Sequence, residues 1–163
     1  MTTKRTLKIA VIGAGASGIM TVIKLRETGQ TDARVFERAS DIGGTWRDQK
    51  YPGVACDVPS HLYRYSFAPN PDWSRVCATG AEILDYLRAV YEKHDIGRHV
   101  TFDAEVREAR WNGEGWMLDT AAGEHGPFDV VITAMGILRT PLFPQVEGRE
   151  SFAGRALHSE IGR

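Results

Sequence analysis

The sequence predicts an α/β fold: a parallel sheet opened by a βαβ unit, with a small antiparallel hairpin or meander beside it. Three observations carry that expectation. "KIAVIGAGASGIM", Lys8 to Met20, sets a short apolar run before three glycines spaced G-x-G-x-x-G. A second β-branched run, "ARVFE", follows at Ala33 to Glu37. Farther on, "EVREARW" and "GWMLDTA" each partly alternate and are separated by "NGEG", the pattern of two antiparallel strands joined by a tight turn.

Lys8 to Ile12 reads as a strand covered on both faces, because it is short, β-branched and ends in glycine. A helix follows from Ser17, where Ile19, Val22, Ile23 and Leu25 keep an apolar stripe until Gly29, placed to cap the C-terminus. Val22 stands where such helices more often carry Ala or Gly, which asks the helix to sit slightly farther from the sheet. With "ARVFE" this completes a minimal βαβ unit. Residues Asp41 to Trp73 are rich in Gly, Pro, Tyr, Trp and Asp without a sustained period, an ordered loop with too many aromatics for disorder. Thr79 and Glu82 form a capping box, and Ile83, Leu84, Leu87, Val90 and Tyr91 then predict a helix from Gly80 to His94. After the hairpin, "FDVVITAMG", Phe128 to Gly136, predicts another buried strand, followed by the turn-rich "RTPLFPQVEG".

Composition narrows the function classes. The chain has 163 residues, 42% apolar and 25% charged, enough for one globular core. A formal net charge of −1 with interspersed signs provides no field for nucleic acid or an anionic membrane, which leaves small molecules as partners. Cys56 and Cys77 form no C-x-x-C pair, consistent with a reducing cytoplasm. The apolar run Ile9 to Ile12 is too short for a signal peptide, and the longest near-apolar stretch, "VVITAMGIL", has about half the length of a membrane span. His61, His94, His99, His125 and His158 show no metal-ligand spacing, and no G-x-S-x-G nucleophile motif occurs.

The glycine motif carries chemistry. Gly13 permits the tight turn, Gly15 lets a pyrophosphate approach the backbone, and Gly18 lets helix and strand pack closely. Ala16 and Ser17 open the helix, whose free N–H groups and positive dipole end favour an anion. Glu37 lies nineteen residues after Gly18, at the end of the second strand, where a carboxylate accepts ribose hydroxyls and repels a 2′-phosphate. The expected fold is therefore a Rossmann-like domain for an adenosine with a free ribose, in FAD or NAD. The spacing does not separate the two.

A resemblance does. "GGTW", Gly43 to Trp46, then "YPGVACDVPSHLYRYSF", Tyr51 to Phe67, and "TAMGILRTPLFPQVEG", Thr133 to Gly148, resemble the flavin region of class B flavoprotein monooxygenases within the flavin-containing monooxygenase superfamily, the Baeyer–Villiger type above all. In the last stretch Met135 replaces the family's threonine. The resemblance implies FAD, with Gly13, Gly15, Gly18 and Glu37 at its pyrophosphate and ribose. Gly44, Thr45 and Trp46 would run along the cofactor, and Asp57 and Tyr63 would lie near the isoalloxazine. Val106 would touch the adenine through its backbone, and Met135 would sit near the pyrophosphate. An aspartate inside an aromatic loop is costly to bury unless paired. In the family Asp57 would be the catalytic-site acid that helps position an arginine from an NADP-binding domain. Trp46, Tyr51, Tyr63 and Tyr65 are either flavin contacts or packing residues. Phe152, Gly154 and His158 match the family fingerprint F-x-G-x-x-x-H-x-x-x-W, but Gly162 stands at its tryptophan position.

The implied activity is NADPH- and O2-dependent: FAD takes electrons from NADPH, and activated oxygen is inserted beside a ketone or added to an amine or sulfide. Only one G-x-G-x-x-G occurs in the chain. Residues 1–150 are thus expected to be an N-terminal FAD-binding domain, incomplete relative to the family fold, and residues 151–163 the start of a linker toward an absent NADP-binding domain. A truncated chain, inactive alone and self-associating through exposed apolar surface, is the expectation. The alternatives are a stand-alone flavin- or nucleotide-binding module, one half of a two-chain oxidoreductase, or a simpler NAD-linked oxidoreductase.

Overall fold

The fold grows outward from one buried strand. In the computed structural model, which describes residues 5–138 and 140–159, β1 is Ile9–Ile12 and all its residues are buried. Gly162, the departing fingerprint position, lies outside the described residues. Helix α1, Ala16–Glu27, follows and buries Gly18, Ile19, Val22 and Ile23. It ends as its sequence predicts: Gly29 takes φ +83° just beyond Thr28, and the Gln30 N–H closes back onto the Leu25 carbonyl at 2.9 Å. Strand β2, Ala33–Phe36, pairs in parallel with β1, Ile9 opposite Ala33 and Ile12 opposite Phe36.

The long loop is ordered and holds a single-turn helix that its composition does not announce, α2, Thr45–Asp48. Helix α3 spans Gly80–Lys93, and Thr79 caps it by accepting the Glu82 N–H at 3.3 Å. The expected reciprocal arm is directed elsewhere: the Glu82 carboxylate accepts the Ser74 N–H at 2.7 Å and the Ser74 hydroxyl at 2.8 Å, tying the loop to the helix instead. A two-residue strand, β3, Val100–Thr101, then pairs with β2.

The hairpin is β4, Val106–Trp111, and β5, Trp116–Thr120, antiparallel with Trp111 opposite Trp116. A third strand, β6, Gly123–Phe128, extends it into a meander. The expected strand from Phe128 to Gly136 is therefore corrected. Phe128 ends β6, Asp129 breaks the run, and β7 occupies only Val130–Thr133. Asp129 marks the break because its N–H donates to the Lys8 carbonyl while its carboxylate accepts the Lys8 N–H, both at 2.8 Å. β7 is also half-buried rather than buried, because the order β3-β2-β1-β7 puts it at the sheet edge.

Side-chain alternation along β1 divides the core. Ile9 and Val11 face α1 and α3, packing with Val22, Ile83 and Leu87, while Ala10 faces the meander with Phe36, Leu118 and Phe128. Phe36 and Phe128 meet edge-on at 5.9 Å. Val22 is fully buried between α1 and the sheet, so the larger side chain is accommodated. Among the described residues no helix is long and apolar enough to cross a membrane.

Candidate functional site

The carboxyl ends of β1, β2 and β7 open onto a cleft of about 920 Å³, at the upper end of the size range of small-molecule sites. Its floor is the first glycine turn. Gly13 takes φ +102°, and a Cβ there would lie 2.7 Å from the Ala134 carbonyl oxygen. A Cβ on Gly18 would lie 1.9 Å from the Gly13 oxygen, so Gly18 stands behind the turn and not on the cleft. Gly15 is the N-cap of α1 and offers no side-chain cap. With no acid in the first helical turn, the N–H groups around Ala16 and Ser17 stay open to an anion.

A second glycine turn faces the first. Gly43 and Gly44 adopt φ +117° and +53°, and the Gly43 N–H donates to the Ala14 carbonyl at 3.0 Å. A Cβ on Gly44 would stand 3.2 Å from the Gly15 Cα, and one on Gly15 would stand 3.7 Å from the Gly44 Cα. The two turns thus present bare backbone to one channel. Helix α3 fixes the second turn from behind, since a Cβ on Gly43 would meet Leu84 Cδ1 at 2.4 Å. Thr45 and Trp46, at the start of α2, continue this wall.

Glu37 closes one end of the channel. It is 4% exposed, and its carboxylate accepts the Ala14 N–H at 2.8 Å, the Ala39 N–H at 3.0 Å and the Arg47 guanidinium at 3.3 Å. Arg47 also grips Asp48 with two donors, at 2.7 and 2.9 Å, and donates to the Asp41 carbonyl. Burial works against the Arg47 charge, but the bonds and charges of Asp48 and Glu37 outweigh it and hold the guanidinium above its ordinary value. Burial likewise opposes the charge on Asp48, yet Arg47 and then Arg38 keep its carboxyl below the usual range. Arg47 carries no signal in the spacing of motifs. The only hint is chemical, in that a buried carboxylate at position 37 needs a cation and Arg47 follows the glycine turn directly.

Aromatic residues form the other end. Trp46 donates its indole N–H to the Tyr63 hydroxyl at 3.1 Å, and the two rings meet edge-on at 5.5 Å. Tyr51 and Asp57 line the same end. Asp57 lines the cleft and is exposed, so its carboxylate does not meet the cost of burial. Tyr65 does not line the cleft. It donates to the Ala16 carbonyl at 2.6 Å and stacks on Phe67 at 5.1 Å, and desolvation, helped by Tyr86 and Tyr63, raises its phenol well above the ordinary value. Tyr65 is a packing residue beneath the α1 N-terminus, so Tyr65→Phe should cost about 1 kcal/mol in chemical denaturation. Any ligand affinity of the cleft should change less than twofold.

Val106, on β4, and Met135, in the turn after β7, complete the lining, joined by His158 from the fingerprint segment. His158 packs edge-on against Phe143 at 4.9 Å. Of the thirteen residues to which the sequence assigns a cofactor or catalytic role, from Gly13 to Met135, the cleft gathers twelve, Gly18 excepted. The donor set fits a dinucleotide: open N–H groups for phosphate, bare backbone on both sides, and a buried carboxylate at one end.

Known proteins share sequence and fold with this chain. Residues 11–79 match a family model described as an NAD(P)-binding Rossmann-like domain. A Baeyer–Villiger monooxygenase from Streptomyces coelicolor is 44% identical over 155 residues, covering 94% of this chain and 30% of that protein. The crystal structure of a cyclohexanone monooxygenase bound to ε-caprolactone superposes with a TM-score of 0.81 at 34% identity, covering 96% of this chain and 32% of the other. A complex of the enzyme OTEMO with FAD and NADP gives a TM-score of 0.81 at 30% identity, covering 97% and 31%. The chain spans about a third of the length of these relatives. Along nearly all of its own length it matches these Baeyer–Villiger and cyclohexanone monooxygenases in sequence and in fold.

Proposed function

We propose that these residues are the FAD-binding portion of an NADPH- and O2-dependent monooxygenase. The observation that carries this reading is the channel between Gly15 and Gly44, closed at one end by buried Glu37 and at the other by the Trp46–Tyr63 pair. Ala16 and Ser17 hold the pyrophosphate through backbone N–H groups, Gly13 shapes the turn with its own N–H donated to the Phe36 carbonyl at 2.9 Å, and Glu37 accepts from the ribose. Val106 borders the adenine, Met135 the pyrophosphate, and Thr45 and Trp46 run beside the chain toward the isoalloxazine. Bound FAD supplies electron transfer from NADPH and activation of O2. Asp57 and Tyr63 orient the flavin end, and Asp57, with no ion pair to a described residue, is available to a cation brought by a nicotinamide-binding domain. Residues 1–150 form the cofactor domain, and residues 151–163 begin the linker toward a nicotinamide-binding domain. The substrate is a ketone, amine or sulfide.

The absorbance spectrum of the purified chain, with and without added FAD, tests the core of this reading. Flavin bands that stay with the protein through gel filtration are the expected result, and a folded sample that takes up no FAD overturns it. The chain carries a single G-x-G-x-x-G, so residues 1–163 alone should not consume NADPH in response to a ketone. Ketone-dependent NADPH oxidation by the 163 residues would count against that part.

A strip of apolar side chains runs along the segment after β7, with Ile137 95% exposed and Leu142 87% exposed. Such a surface favours association. Light scattering should show a mass rising with concentration, reduced in the double variant Ile137→Lys and Leu142→Lys. A monomer at all concentrations would contradict it.

A further inference from the structure

Glu37 has less capacity for a ribose than a free carboxylate. A carboxylate offers about four lone-pair sites. Oε1 already accepts the Ala39 N–H and Arg47 Nη1, and Oε2 accepts the Ala14 N–H, which leaves one site, on Oε2. Arg47 is the only charged partner of this buried anion among the described residues, and it is itself only 13% exposed. Its other bonds, to Asp48 and the Asp41 carbonyl, fix the guanidinium to α2 and to the turn that leads into Gly43.

We propose that Arg47 is a positioning residue for the adenosine ribose. By occupying Oε1 it holds the Glu37 carboxylate in one orientation, so that Oε2 alone receives a ribose hydroxyl. The inference rests on the cofactor reading above. It adds a specific role for a residue outside the glycine motif: the ribose site is assembled jointly by the end of β2 and by α2, which meet through this one ion pair. Without Arg47 the buried carboxylate lacks its countercharge, Oε1 keeps only the Ala39 N–H and the orientation loosens, so recognition of the hydroxyl weakens while the phosphate site remains.

Calorimetric titration of the full chain with ADP and with 2′-deoxy-ADP and 3′-deoxy-ADP tests this. In the unaltered protein ADP should bind about 10- to 100-fold more tightly than one of the deoxy forms, the range for a charge-assisted hydrogen bond. Arg47→Met should shrink that ratio below about threefold, mainly by weakening ADP, and Arg47→Lys, which reaches one acceptor, should restore part of it. An Arg47→Met protein that binds all three ligands more weakly by the same factor would show a merely structural role and overturn the proposal. If Arg47→Met does not fold, the Lys variant decides: a ratio equal to that of the unaltered protein overturns the inference. Failure of the unaltered chain to bind either ADP or FAD would instead remove the cofactor reading beneath it.

Discussion

Gly18→Ala is expected to lower unfolding stability by about 3 kcal/mol, the upper end of the cost of overpacking a close contact. A Cβ at this position would come within 1.9 Å of the Gly13 oxygen and 3.0 Å of its carbonyl carbon. Both are backbone atoms, so no side chain can swing aside. Relief requires α1 to move away from the turn as a body, and α1 buries Ile19, Val22 and Ile23 against the sheet. The same movement withdraws the N–H groups of its first turn from the channel, so FAD uptake should disappear together with the stability. Urea unfolding and a flavin titration measure the two effects. A variant with unaltered stability and affinity would mean that the helix and the turn are not in the contact described.

Glu37→Gln is expected to cost about 2 kcal/mol and to weaken FAD by about 10- to 100-fold. The amide keeps the shape of the carboxylate but replaces one acceptor with a donor. Whichever way it lies, an NH2 group faces Ala14 N–H on one side or Ala39 N–H and Arg47 on the other, donor against donor. The Arg47 guanidinium retains Asp48, which limits the loss of stability. Affinity falls by a comparable free energy, because the ribose loses an anionic acceptor. Denaturant unfolding and FAD titration of this variant give the two numbers, and unchanged FAD affinity would show that the carboxylate does not meet the ribose.

The parts of the fold legible in the sequence are those set by local rules. The four-residue apolar run of β1 had to be covered on both faces, and Gly13, Gly15 and Gly18 are spaced for a turn that only small residues can make. Thr79 and the spacing from Ile83 to Tyr91 located α3 to within a residue. The parts that were not legible depend on neighbours. "GEHGPF" has little intrinsic preference for a strand, and β6 forms because β5 offers it a ladder, Trp116 opposite Phe128 and Thr120 opposite Gly123. β3 is two residues long and exists only as the partner of Val35 and Phe36. The break at Asp129 is imposed by Lys8, some 120 residues away in sequence, as the 121-residue separation of their hydrogen bond records. In the cleft, Glu37 could be placed by counting from Gly18. Arg47 could not, because its role depends on the Asp41 carbonyl and the end of β2 arriving at one point. Tyr65 shows the converse: its chemistry suits a flavin contact, and only packing beneath α1 assigns it elsewhere.

The two ends of the channel differ in how they are made, and the difference divides the work between them. At Glu37 the wall consists of strand termini, buried charge and three hydrogen bonds, an arrangement in which any one atom is held by several others. At Trp46 and Tyr63 it consists of loop side chains joined by one hydrogen bond, with Tyr63 37% exposed. A cofactor seated here is anchored by its unreactive half and left adjustable at its reactive half. Substitutions in the aromatic loop can therefore retune the chemistry without loosening the grip, whereas substitutions around Glu37 loosen the grip and leave the chemistry nothing to act upon.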